Sequence, residues 1–170
     1  APAVAAVAAA PFAAASPARF TVDFSAGRAV TSVPGGPSVI VTVGSNGTLT
    51  RSASSLTLTG AQTVTVTFSQ SVRDLSFTVS GLDRVDNNGA RGLLERVSVT
   101  PPPGVVSSSG VAGAGTPGSP LQALTQGTSG SALLTVPGST TSVTIVLSNG
   151  QGSATPVVTI SGMTFLAEVR

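Results

Sequence analysis

The sequence predicts an all-β chain, an antiparallel β-sandwich of jelly-roll or Greek-key type with about nine or ten strands. Three observations carry the prediction. Short runs alternate apolar residues with Thr or Ser, as in TVTVTF, the period-2 pattern of a strand with one buried face. Turn formers recur between these runs, with 20 Gly and 12 Pro in 170 residues. Ser and Thr together supply 46 residues, while no helical periodicity interrupts the pattern. The length suits one domain with a real core.

Residues 1–18, APAVAAVAAAPFAAASPA, hold eleven Ala and three Pro. Ala favours helix, but Pro2, Pro11 and Pro17 interrupt it, which leaves an extended segment or linker. Val4, Val7 and Phe12 are its larger side chains and its candidate anchors on a neighbouring molecule. A single sandwich domain is expected over 19–170. It opens with RFTVDF, where Phe20, Val22 and Phe24 share one face. SVIVTV and TLTR flank GSNG, whose Asn46-Gly47 pair predicts a tight hairpin. Asn46-Gly47-Thr48 is formally a glycosylation acceptor as well, and the turn is the preferred reading.

SLTLTG and QTVTVTF follow, the latter burying Val64, Val66 and Phe68. DLSFTVSG buries Leu75, Phe77 and Val79, and LLERVSVT places Leu93, Val97 and Val99 on one side together with Glu95. Residues 101–120 carry little pattern and read as a long loop. SALLTV, TSVTIVLS and PVVTISGMTFLAEV complete the set. In the last, parity changes between Ile160 and Met163, so Ser161-Gly162 predicts a bulge or strand break.

Composition removes most chemistry. The chain has no Cys, His, Lys, Trp or Tyr, and 8% of its residues are charged. Without Cys there is no disulfide framework and no thiolate metal site. Without His or Lys, a serine nucleophile lacks its usual base. Only a glycosidase-like carboxylate pair from Asp83, Asp86 and Glu95 remains, with no Trp or Tyr to hold a sugar, so no enzyme is expected. The net charge of +2 comes from eight scattered Arg against six acids, not the concentrated footprint that nucleic acid requires. No unbroken apolar run is long enough to span a membrane.

The stretch DRVDNNGARGLLE supports two readings. Asp83, Asp86, Asn88 and Glu95 offer the hard oxygen donors that would hold calcium, with Gly89 allowing a tight turn. The preferred reading is a solvated loop whose acids pair with Arg84, Arg91 or Arg96.

VRDLSFTVSGLDR paired with ERVSVT, then TSVTIVLSNGQG and VTISGMTF, resembles a β-sandwich domain of secreted and surface proteins from high-GC bacteria. In that pattern Leu82-Asp83 corresponds to an acidic turn, Glu95-Arg96-Val97 to an acid-Arg-Val strand opening, and Ile160 to Phe165 to the closing strand. Gly81, Glu95 and Gly162 stand where the pattern carries Asp or another acid. The resemblance implies a surface or matrix role without a known reaction. The opening at Ala1 and the Ala-rich stretch read as a segment left by signal-peptidase cleavage, so a secreted, extracellular or cell-surface location is expected. The expected function is a filament or pilus subunit that donates residues 1–18 to a neighbouring copy, a homopolymer. The alternative is a monomeric adhesin or carbohydrate-binding module directed at a host or matrix surface, its tail a linker.

Overall fold

The computed structural model describes residues 16–31, 38–86, 91–127 and 129–169. Among them all regular structure is β, and every pairing is antiparallel. In chain order the strands are β1 (Ser16–Asp23), β2 (Arg28–Thr31), β3 (Ser38–Ser45), β4 (Thr48–Arg51) and β5 (Ser55–Thr59). Then come β6 (Gln62–Leu82), β7 (Arg84–Val85), β8 (Leu93–Thr100), β9 (Gly104–Ser109), β10 (Val111–Ala112), β11 (Leu121–Ala123), β12 (Gly130–Asn149) and β13 (Val157–Val169). The antiparallel β-sandwich expected from the sequence is present, with more strands. The stretch 101–120, expected to be a loop, contributes β9 and β10. Conversely, QTVTVTF and DLSFTVSG are one strand, β6, and SALLTV and TSVTIVLS are one strand, β12.

The long strands stay continuous because they change layer at bulges without breaking. In β6 the buried positions run Val64, Val66, Phe68 and Val72, then Leu75, Phe77 and Val79. The parity flips beside Asp74, whose φ is 50°. In β12 the buried set moves from Ala132, Leu134 and Val136 to Val143, Ile145 and Leu147. Two register shifts lie between, around Pro137-Gly138. In β13 Val158 and Ile160 give way to Met163 and Phe165 across Gly162, which has φ 63°. That is the bulge expected at Ser161-Gly162, and glycine takes the left-handed conformation there without a Cβ penalty. The bends are neighbours in the ladder: Leu75 faces Val136 and Ser76 faces Thr164.

The bends give two layers that share strands, the corner geometry of crossed sheets. The first half of β6 lies between β3 and the second half of β12, with β8 and β11 beyond. The second half of β6 lies between the first half of β12 and β13. β9 flanks β12 on one side of that layer, and β5 then β4 follow β13 on the other. β1 closes the fold by pairing with β13 and with β2. Phe20, Phe24, Phe68, Phe77 and Phe165 all enter one core cluster, as the sequence faces predict. Phe12 lies outside the described residues.

Two sequence expectations change. β3 and β4 are not partners: β3 pairs with β2 and β6, and β4 pairs with β5. Asn46-Gly47 is thus a crossing between layers, since both sides of β3 are already taken. Asn46 stays on β6, its side chain accepting the Thr63 amide at 2.8 Å. Buried Gln62 ties the crossing down by donating to the carbonyls of Thr48, Thr59 and Gly60. The folded chain also begins before Arg19, because Ser16, Pro17 and Ala18 pair with Val169, Glu168 and Ala167. β1 ends at Asp23, whose carboxylate accepts from the Ser25 hydroxyl and the Ser25 and Ala26 amides. The Ser25 hydroxyl, followed by the Ala26 amide, holds that carboxyl below its ordinary range. Among the described residues no helix is long and apolar enough to cross a membrane.

Candidate functional site

The acids singled out in the sequence do not converge as a set. Asp83 and Asp86 are exposed on either side of β7, and Asn88 lies outside the described residues. Asp86 pairs with Arg84, 2.6 Å from Oδ1 to Nε, and its amide donates to Gln126 Oε1. Arg84 also donates to the Leu124 carbonyl, which fastens β7 against the turn after β11. Glu95 behaves differently. It is 2% exposed, on the core side of β8, as the alternation in LLERVSVT requires. Its Oε2 accepts the Asp83 amide at 2.7 Å and its Oε1 the Val157 amide at 2.6 Å. Glu95 therefore meets the backbone of Asp83, and it takes amides where the sequence reading expected an Arg partner. Among the described residues no three acids gather so as to hold a metal ion.

Burial raises the Glu95 carboxyl to about 7, against the two amide hydrogen bonds, with the Asp83 charge adding to the rise. The carboxyl pins the end of β6 and the start of β13 to β8. An amphipathic strand places Glu95 inside, where its two oxygens accept the amides of Asp83 and Val157.

A second, half-buried knot sits beside it and was not anticipated. Asn149 faces Glu95 in the β12–β8 ladder. Its Oδ1 accepts from the amides of Leu94, Gln151 and Gly152, and its Nδ2 donates to the carbonyls of Gly92 and Ala154. One side chain thus folds the turn between β12 and β13 onto the start of β8. A Cβ on the next residue, Gly150, would displace the Arg96 guanidinium, which packs against its backbone. Arg96 donates in turn to Gln122 on β11. The Asn-Gly pair after TSVTIVLS was the signal in the sequence. Replacing Asn149 by Ala should lower the unfolding free energy by about 2 kcal/mol, readable by urea titration, because it strands several backbone groups. A shallow cavity of about 410 Å³ beside this turn is lined by Gly60, Ser148, Asn149 and Pro156, with no ionisable side chain.

Two surface features remain. The first is β9, whose six residues are all exposed. β9 pairs only with β12, so its other side carries no strand among the described residues. Val105 and Val106 are 39% and 60% exposed on it. The other outermost strands offer less. β10 has two residues, and β4 has four and ends in Arg51, which folds back onto the Val43 carbonyl.

The second is the outer face of the layer containing β9. Cross-strand register aligns Ser109, Ser131, Ser80, Thr159, Thr57 and Thr50 in one row over six strands. The next row holds Ser107, Leu133, Thr78, Ser161 and Ser55. Thr57 and Thr159 lie within hydrogen-bond distance of each other at 3.4 Å. Where β9, β12 and β6 meet, the face dips into a cavity of about 340 Å³ lined by Thr78, Ser107, Ser108, Ser109, Ser131, Ala132 and Leu133. No family model matches this chain, and neither the curated proteins nor the solved structures contain a match to it.

Proposed function

We propose that the chain is a non-enzymatic structural subunit of an extracellular or cell-surface filament, joined to its neighbour by the segment ahead of β1. The observation that carries this reading is the bare side of β9. An uncharged strand with one side unpaired among the described residues and with exposed Val105 and Val106 is a template for another strand, and proteins that do not use such an edge normally block it with charge, Pro or a cover. Residues 1–15 are uncharged, carry Val4, Val7 and Phe12, and as an extended chain could reach at most about 50 Å. Six residues of them would cover β9, which at strand rise is about 20 Å long. Repeated head to tail, the contact gives an open polymer unless its rotation closes a ring. The lack of His, Lys and Cys, the two amides on Glu95, and the resemblance to bacterial surface domains support a structural role.

The test is negative-stain microscopy of the full chain beside a truncation beginning at Ser16, which keeps the pairing of Ser16 to Ala18 that a start at Arg19 would lose. Filaments from the full chain alone are expected. Val106→Lys should leave a folded monomer that does not assemble. Monodisperse particles from every form would replace this reading with the monomeric binding module.

A further inference from the structure

We infer that the Glu95 carboxyl is a proton-operated latch at one end of the sandwich. Protonated, it holds β7, the turn after β11 and the turn between β12 and β13 against β8. Ionised, it lets them open together while the rest of the core stays folded. Buried Glu95 accepts the amides of Asp83 and Val157, which lie 12 and 62 positions away in the chain. Each of these contacts leads on to further bonds. Beyond Asp83, the Arg84 guanidinium donates to the Leu124 carbonyl and the Asp86 amide to Gln126. The Leu124 amide donates in turn to the Gly110 carbonyl, just past β9. Before Val157 comes the turn gathered by Asn149, where the Ala154 amide donates to Gly92 and the Gly150 amide to Leu94.

Little apolar packing fastens these segments. β7 has two residues, both paired with β8, and Val85, Leu124 and Val157 are all exposed. Leu82 and Val158 are buried and mark where the core begins. Segments with few buried apolar contacts open at the low end of a protein's range of free energies. No cation answers a charge on Glu95. The ionisable groups around it are Asp83, Arg84 and Asp86 on the β6–β7 side and Arg91 and Arg96 along its own stretch of chain, while residues 121–127 and 130–157 have none. Arg84 pairs with Asp86, Arg96 donates to Gln122 and Arg91 is exposed, so among the described residues Glu95 has no ion-pair partner. The charge that acts on it, Asp83, is of its own sign. Burial therefore favours the protonated form while the segments are shut, and water favours the ionised form once they open. The shut carboxyl titrates at about 7, against an ordinary 4.5. Between those values each pH unit raises the opening constant by up to about tenfold, and above the upper one it levels off.

Amide hydrogen exchange of the full chain, followed residue by residue by NMR from about pH 5 to about pH 7, tests this beside Glu95→Gln, which keeps the shape of the side chain without its ionisation. Dividing the wild-type rate by the variant's rate at each pH removes the intrinsic pH dependence of exchange. For the amides of Asp83, Asp86, Leu124 and Val157 that ratio should climb at least about tenfold over the range. For the amides of β3 and the first half of β6 it should climb far less. If Glu95→Gln does not fold, the wild type alone answers, with the four latch amides set against those of β3 in the same sample. A ratio flat with pH, latch and β3 amides accelerating in parallel, or latch amides already unprotected at pH 5 would each overturn the inference. The filament reading is untouched by any of these results, since it is read by microscopy.

Discussion

Phe165→Ala is expected to cost about 3–5 kcal/mol of stability, the largest effect of any single substitution proposed for this chain. Phe165 is fully buried just after the Gly162 bulge. Its ring stacks on Phe20 of β1 with centroids 5.4 Å apart and meets Phe68 of β6 edge-on at 5.1 Å. These three strands belong to the ring that closes the fold, so the cavity left by truncation would sit between elements that cannot collapse independently. In a protein of this length the loss corresponds to a melting temperature lower by about 10 °C or more. Differential scanning calorimetry reads it directly. A cost below about 1 kcal/mol would mean that neighbouring chains refill the space, contrary to the tight packing inferred here.

Glu95→Ala should cost about 3 kcal/mol at pH 5, because it leaves the Asp83 and Val157 amides buried without an acceptor. The same residue makes stability depend on pH in an unusual direction for a carboxylate. Its folded value of about 7 lies above the ordinary 4.5, so the folded state holds this proton more tightly than the unfolded state. The contribution is fully present below pH 4.5 and is lost as pH rises through about 7. Across that window the wild-type chain should lose about 3 kcal/mol from this group. Urea midpoints taken between pH 4.5 and 8 should fall in the wild type and stay level in Glu95→Gln. Parallel curves for the two proteins would show that burial does not govern this carboxyl. The cost of Glu95→Ala should accordingly be smaller at pH 8 than at pH 5.

Strand positions and inward faces were legible because alternation is local. Val64, Val66 and Phe68, then Leu75, Phe77 and Val79, were placed correctly without any knowledge of their neighbours. The Gly162 bulge was legible for the same reason, since it breaks parity within one run. Glu95-Arg96-Val97 and the Asn149-Gly150 end of β12 were legible only as short motifs, and the structure shows strands tied together at both. That β6 is a single strand was not legible, because a bulge and a turn leave similar marks in a short window.

The sequence by itself determined the fold class, the buried faces and the poverty of reactive groups, all properties that composition and period-2 spacing carry residue by residue. Only the tertiary structure decided which strands are partners, and with them everything that depends on register. It sent β4 across to β5, gave the Glu95 carboxyl two backbone amides to accept, left one side of β9 without a strand among the described residues, and lined up hydroxyls from six strands. The physical reason is that pairing joins residues far apart in the chain. Each strand carries a pattern compatible with many partners, and the closed core selects one arrangement among them.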